Sequence, residues 1–354
     1  MQTKIYRIED IKKDYRAIEE AAALIRKGQV VAFPTETVYG LGANALDGQA
    51  VDRIFEAKGR PSDNPLIVHI SKAEDIEPLV LEMPPGIHPL IEAFWPGPLT
   101  VILKKSKAVP HKTTAGLDTV ALRMPNHPVA LALIEGSKVP IAAPSANTSG
   151  RLSPTRAQHV LDDLSGVIPM ILDGISPCKV GLESTVLDMS GEIPTILRPG
   201  GITPEMLRGI LGHVDLDETI LKPTDNGHSP KSPGMKYKHY APEAGVIIFK
   251  GSDLSAMAEK INEAHDEHVS RGLKVGILAS DETIHRYTKG IIISMGSRRK
   301  PASIAARLYT SLREFDNAGV DIILAEWVDE REEGLAIMNR MIRAAGFQVE
   351  DTSP

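Results

Sequence analysis

Apolar residues recur at helical spacing over residues 11–26 and stop at Gly28, which predicts an amphipathic helix closed by glycine. Residues 30–33 follow as a fully apolar run halted by Pro34, the pattern of a short buried strand. Further strands are predicted at 66–70, 100–103, 120–123, 170–172, 185–188 and 195–197, and helices at 51–57, 128–134, 155–161 and 203–211. They interleave irregularly, so this part reads as a twisted mixed α/β sheet and not as a doubly wound repeat. Residues 213–244 form a polar connector rich in Pro and Gly. Beyond it the rhythm is regular. Strands at 246–249, 275–278, 291–294 and 322–325 alternate with helices at 254–268, 302–315 and 334–345, as in a small, Rossmann-like βαβ domain with a parallel sheet. The expected organisation is therefore a domain at 1–212, a linker at 213–244 and a second domain at 245–354, without internal repeats.

Composition narrows the function classes. With 42% hydrophobic and 24% charged residues in 354, the chain has the makeup of a soluble globular protein of two domains. A net charge of −6 and only 4% aromatic residues argue against a chain-wide nucleic-acid footprint, so no strong direct nucleic-acid binding is expected. Cys178 stands alone, which excludes an intramolecular disulfide and a thiolate metal cluster. No apolar run approaches a membrane span, and Met1 is followed by no secretory stretch; the expectation is a cytoplasmic protein.

The chemistry concentrates in loops. Lys58, Arg60 and Asn64 are followed directly by Gly59, Pro61 and Pro65, and Ser145, Asn147, Thr148, Ser149 and Ser153 follow the apolar 139–143. Fixed turns carrying cations, amides and hydroxyls suit a polyanionic ligand; the alternative is a solvated loop with surface ion pairs. The P-loop pattern GxxxxGK[ST] is absent, as is the GxSxG elbow of a serine nucleophile. Gly40, Gly42 and Ala45 match the dinucleotide fingerprint in form, but Pro34 and polar residues separate them from the preceding strand, which argues against a cofactor site. Thr35 and Thr37 read as hydroxyl donors on a turn or as turn caps. His69 in an apolar strand reads as a core histidine with one hydrogen bond. Arg123 and Arg198 at strand ends each need an anion, from the protein or from a substrate, because an unpaired buried guanidinium is costly. Ser184 sits at a strand entrance. His265 and His268 lack a third ligand and read as a solvated helix face, and 297–300 as an exposed basic loop.

Taken in order, FPTETVYGLG, KGRPSDNPLIVHI, FWPGPLT, ALRMPNHP, APSANTSG, GLESTV and LRPGGIT resemble the YrdC family of threonylcarbamoyl-AMP synthases over residues 15–210. SPGMKYKHYAP and the βαβ domain resemble the linker and C-terminal domain of the long form. The resemblance implies a YrdC-like sheet with a concave basic cleft. It implies synthesis of L-threonylcarbamoyl-AMP from L-threonine, bicarbonate or CO2 and ATP with Mg²⁺, releasing pyrophosphate, for a downstream tRNA-modifying transferase. It assigns L-threonine to Thr37, His69, Arg123, the Ala143 backbone and Ser184, with Arg123 on the carboxylate. ATP falls to Arg60, Asn64, Thr119, Ser145, Ser153, Arg198 and Tyr237. Lys58, Arg60, Ser145 and Asn147 form the catalytic group, Tyr237 and His239 a lid over the cleft, and metal ligands are not identified. The alternatives are a related carbamoyl-adenylate enzyme, whose hydrogenase-maturation forms carry zinc fingers that a single Cys excludes, and a double-stranded RNA-binding module.

Overall fold

The computed structural model describes residues 2–174, 178–222 and 241–352, so Tyr237 and His239 lie outside the described residues. The chain divides into two compact units, the first reaching Ile220. In the first unit the elements are β1 (Lys4–Ile8), α1 (Tyr15–Arg26), β2 (Val31–Phe33), β3 (Gly40–Asn44), α2 (Gly48–Lys58), β4 (Ile67–His69), α3 (Ile87–Phe94), β5 (Leu99–Lys104) and β6 (Thr119–Arg123). They continue with α4 (Pro128–Ser137), β7 (Ile141–Ala143), α5 (Ala157–Leu164), β8 (Met170–Gly174), β9 (Thr185–Asp188), β10 (Thr195–Arg198), α6 (Pro204–Leu211) and β11 (Asp215–Leu216). The strands form one mixed sheet in the order β1-β8-β2-β3-β7-β4-β6-β5-β9-β10-β11.

Local chemistry explains most boundaries. In α1, Ile18, Ala21, Ala22 and Ile25 are buried at helical spacing, as the pattern predicts. The helix starts at Tyr15 and not at residue 11, because the Asp14 carboxylate accepts from Glu9 N and Asp10 N and the Asp10 carboxylate from Lys12 N, holding the preceding residues in a turn. Asp47 caps α2 through Gln49 N, and Gly59 ends it at φ 59°. That left-handed exit fixes Lys58 in the last helical turn and turns the Arg60 loop away.

Short or glycine-rich strands escaped the sequence pattern. β1 is largely exposed and β3 reads GLGAN, so neither alternates clearly. β11 lies inside the predicted connector; both its residues are exposed, and only its parallel pairing with β10 makes it a strand. Gly42 serves strand packing instead of a dinucleotide: a Cβ there would lie 2.6 Å from Ile141 Cγ2 and 2.7 Å from Phe33 Cε1.

The register gathers the functional positions on one sheet face. His69 on β4 stands opposite Ile141 on β7 and Arg123 on β6. Farther along, Thr100 on β5 pairs with Val186 on β9, which pairs with Arg198 on β10. At the β2 end of the same face, Phe33, Ile141 and Ala143 pack with α1 and α4. Ile67, Ala121, Ile102, Val186 and Leu197 form a smaller apolar cluster beside the polar row.

The second unit contains β12 (Gly245–Lys250), α7 (Leu254–Ser270), β13 (Val275–Ser280), β14 (Ile291–Gly296), α8 (Pro301–Ala318), β15 (Ile322–Glu326), α9 (Glu333–Ala344) and β16 (Val349–Asp351). Its sheet is parallel throughout, in the order β14-β13-β15-β12-β16, as the alternation predicts. Two details differ from the sequence reading. His265 is buried and contacts Asp266 instead of lying on a solvated face. Arg298, expected on an exposed loop, is tied to the buried Glu326 at 2.8 Å. Among the described residues no helix is long and apolar enough to cross a membrane.

Gly42→Ala should lower unfolding stability by about 1–3 kcal/mol, the usual range for overpacking a filled core. Urea titration checks this; an unchanged midpoint would mean that β3 can shift to make room.

Candidate active site

The turn after β2 builds one wall. Thr35 Oγ1 accepts from Thr37 N at 3.1 Å and Val38 N at 3.2 Å and donates to Val38 O at 2.7 Å, so this hydroxyl is the turn cap. The Thr37 hydroxyl, fully buried, lies 2.8 Å from it. Between them, Glu36 is directed at Arg123: Oε1 and Nη2 are 2.6 Å apart, with both side chains buried. The contact is an ion pair without a directed hydrogen bond, because neither Glu36 oxygen accepts one. Arg123 Nε also donates to Gly97 O at 3.3 Å. Beside it, His69 contacts the Ile67 carbonyl through Nδ1 at 3.2 Å and meets the Phe33 ring edge-on at a centroid distance of 6.1 Å. Burial, reinforced by the Arg123 charge, pushes its imidazole down to about 3, so it is neutral at physiological pH.

A second wall is tied together by Lys58. Its buried ammonium donates to Ser145 O at 2.5 Å and to the main-chain carbonyl of Asn147, while Ser149 N donates back to Lys58 O at 2.9 Å. Gly40 bridges to Ser145 from β3. Burial, and then the nearby Arg60 charge, hold the Lys58 pKa well below that of a free lysine. Lys58 thus anchors the 145–149 loop through main-chain oxygens. Asn64, wholly buried just before β4, has no partner for either end of its amide among the described residues. An amide buried in that condition is expensive unless a ligand completes it.

A third group follows β5, β9 and β10. Thr100 Oγ1 and Ser184 Oγ are 2.7 Å apart, Arg198 Nε donates to Ser184 O at 3.1 Å, and Arg198 Nη2 to Ser184 Oγ at 3.3 Å. Ser153 Oγ donates to Glu183 at 2.5 Å. The strand register also gives the site a direction. Asn64 and Thr119 precede or begin the parallel strands β4 and β6, whereas His69 and Arg123 end them. Thr119 and Arg123 share a face, four residues and therefore about 13 Å apart.

Two family models match in succession: one described as "Telomere recombination" over residues 23–200, and one described as "Threonylcarbamoyl-AMP synthase, C-terminal domain" over 202–346. The threonylcarbamoyl-AMP synthase of Bacillus subtilis (strain 168) is 50% identical over 333 residues, spanning 94% of this chain and 94% of that relative. This chain belongs to the threonylcarbamoyl-AMP synthase family. The synthase of Pyrococcus abyssi (strain GE5 / Orsay) is 48% identical and spans 94% of this chain and 95% of its own length. A crystal structure of P. abyssi Sua5 complexed with L-threonine superposes with a TM-score of 0.92 at 46% identity, covering 99% of both chains.

Against the synthase motifs, the structure connects most of the expected residues. His69 and Arg123 stand opposite each other, Thr37 adjoins the Glu36 that pairs with Arg123, Ala143 lies opposite Ile67, and Ser184 joins Thr100 and Arg198. Lys58, Ser145 and Asn147 form one hydrogen-bonded group, with Arg60 two residues beyond Lys58. Tyr237 and His239, assigned to the lid, lie outside the described residues. The site is not purely basic, because Glu36 and Glu183 stand among its cations. Sequence reasoning missed both carboxylates and Thr100. Glu36 had a visible signal: it is the one charged residue in an otherwise neutral loop bounded by a buried strand and glycines.

His69 binds a proton more weakly folded than unfolded, so stability should fall as pH drops below its ordinary value of 6.5 toward 3. Between pH 7 and pH 5 the protein should lose about 1–2 kcal/mol more than His69→Gln does, measured by urea titration at each pH. Parallel losses would mean that His69 is protonated in the fold.

Proposed function

We propose that this chain forms L-threonylcarbamoyl-AMP from L-threonine, bicarbonate or CO2 and ATP, with release of pyrophosphate. The observation that carries the reading is the buried Asn64 amide without a partner, set near one end of a strand pair whose other end holds Arg123 and Glu36. A site with polar groups left to complete at both ends fits two small reactants bound end to end. Membership of the synthase family supplies the reaction class.

In this reading the threonine amine joins CO2 to give a carbamate. A carbamate oxygen attacks the α-phosphorus of ATP, the bond from that phosphorus to the bridging oxygen breaks, and pyrophosphate leaves. Arg123 takes the threonine carboxylate, with Thr37, neutral His69, the Ala143 backbone and Ser184 around the side chain. Asn64, Arg60, Thr119, Ser145, Ser153 and Arg198 hold ATP. Lys58 contributes by fixing the loop that carries Ser145 and Asn147. Preorganised cations offset repulsion among carboxylate, carbamate and triphosphate, and holding the reactants together supplies much of the rate without an enzyme-bound intermediate. Mg²⁺ would enter with ATP, held by the phosphates with one or two carboxylates at most, and would offset the triphosphate charge. Tyr237 and His239 would close over a labile product. The product would pass to a transferase that modifies tRNA in the cytoplasm.

Pyrophosphate release should require both L-threonine and bicarbonate and fall sharply when serine replaces threonine. Equal release with threonine, with serine and with no amino acid would remove the assignment. Asn64→Ala should raise the KM for ATP roughly tenfold, the loss of about one good hydrogen bond, and leave the KM for threonine within twofold. A threonine effect as large as the ATP effect would move Asn64 to the other subsite.

A further inference from the structure

The buried glutamates among the described residues sit in very different company. Glu326, with no exposed surface, accepts from Ser280 N, Ser280 Oγ, Thr283 Oγ1, Tyr287 OH and Arg298 Nη2, a saturated structural network. Glu183 accepts from Ser153 Oγ. Glu36, only 7% exposed, accepts no hydrogen bond at either oxygen. Its Oε1 has the Arg123 charge 2.6 Å away, and Oε2 has no donor among the described residues.

The backbone does not let Glu36 escape this position. Its carbonyl accepts from Val180 N at 2.8 Å, and the Thr35 cap closes the turn around it. Burying an ionised carboxylate oxygen without a donor is strongly unfavourable, so such an oxygen marks the place of a missing one. The adjoining guanidinium keeps its Nη1 without a partner among the described residues. A cation and an anion side by side, each with one free position, complement a zwitterion: carboxylate on Arg123 Nη1, ammonium on Glu36 Oε2.

We infer that Glu36 receives the amino group of L-threonine and accepts its proton, releasing the nitrogen lone pair for carboxylation. The inference rests on the proposed function. The ammonium passes one proton to Glu36 Oε2, giving a free amine and a neutral carboxyl. The amine nitrogen then bonds to the carbon of CO2, and one C=O electron pair moves onto oxygen. The second nitrogen proton goes to water, leaving the carbamate. With bicarbonate as donor, the departing hydroxide takes that proton and leaves as water. Glu36 returns its proton to solvent when the product departs.

The neighbouring titratable groups do not compete for the role. Arg123 is a permanent cation. Burial, and then the Glu36 charge, push the Cys178 thiol up to about 12, which keeps it protonated. His69, across the strands from Arg123, is neutral and adds no positive charge that would repel an ammonium.

The test uses the full chain and two readouts. In the first, calorimetry compares L-threonine with its des-amino analogue 3-hydroxybutanoate. The wild type should bind threonine at least tenfold more tightly, and Glu36→Gln should erase the preference while keeping wild-type affinity for ATP. In the second, pyrophosphate release by Glu36→Gln should show a raised threonine KM, a reduced kcat and a pH profile moved toward alkaline pH, where the amine is free without a base. Glu36→Asp, which keeps the carboxylate, should retain the wild-type profile at lower kcat. Equal binding of the two ligands by the wild type overturns the inference even if a variant fails to fold, as does an unshifted pH profile in Glu36→Gln. Wild-type protein that releases no threonine-dependent pyrophosphate would instead sink the proposed function itself.

Discussion

The ion pair between Arg123 and Glu36 is the constraint around which the first unit is organised. A guanidinium at the buried end of β6 needs a counter-charge, and the turn after β2 delivers it across the intervening strands. That geometry requires β3, β7 and β4 to lie between the two residues in a fixed register. A slip by one residue would turn His69 and Arg123 to the opposite face. Close approach of β3, with Gly42 beneath the Phe33 ring, is part of the same requirement.

Two further buried cations are neutralised differently. Lys58 places its ammonium on main-chain carbonyls, and Arg198 grips the Ser184 carbonyl and hydroxyl. In both arrangements the cation holds a loop in place through main-chain oxygens, the Ser145 and Asn147 carbonyls for Lys58 and the Ser184 carbonyl for Arg198. Charges fixed in this way before substrate arrives need no reorganisation during reaction. Glu36 is the exception among these groups, since it is charged, buried and short of donors.

The second unit shows the opposite economy. Its Glu326 is saturated by five donors from β13, the following turn and the β14–α8 loop, which fastens the carboxyl ends of its central strands. The basic run that includes Arg298 belongs to that fastening. A carboxylate so completely hydrogen-bonded holds structure; Glu36, ion-paired at one oxygen and without a donor at the other, is held ready for something else.

Periodicity alone determined the long helices, the parallel second domain and most of the strands, because those elements bury a regular apolar face. Motif order determined the family, and the loops at Lys58 and Ser145 were visible as clusters of donors between Gly and Pro. Only the tertiary structure decided what each charge faces. Whether Arg123 meets a protein carboxylate, whether Lys58 reaches solvent or main-chain oxygens, and whether Glu36 has a donor all depend on strands far apart in sequence meeting in one register. β3 and β11 were illegible for the same reason: with glycines or exposed residues, pairing with neighbours defines them, and pairing is not written in any local pattern.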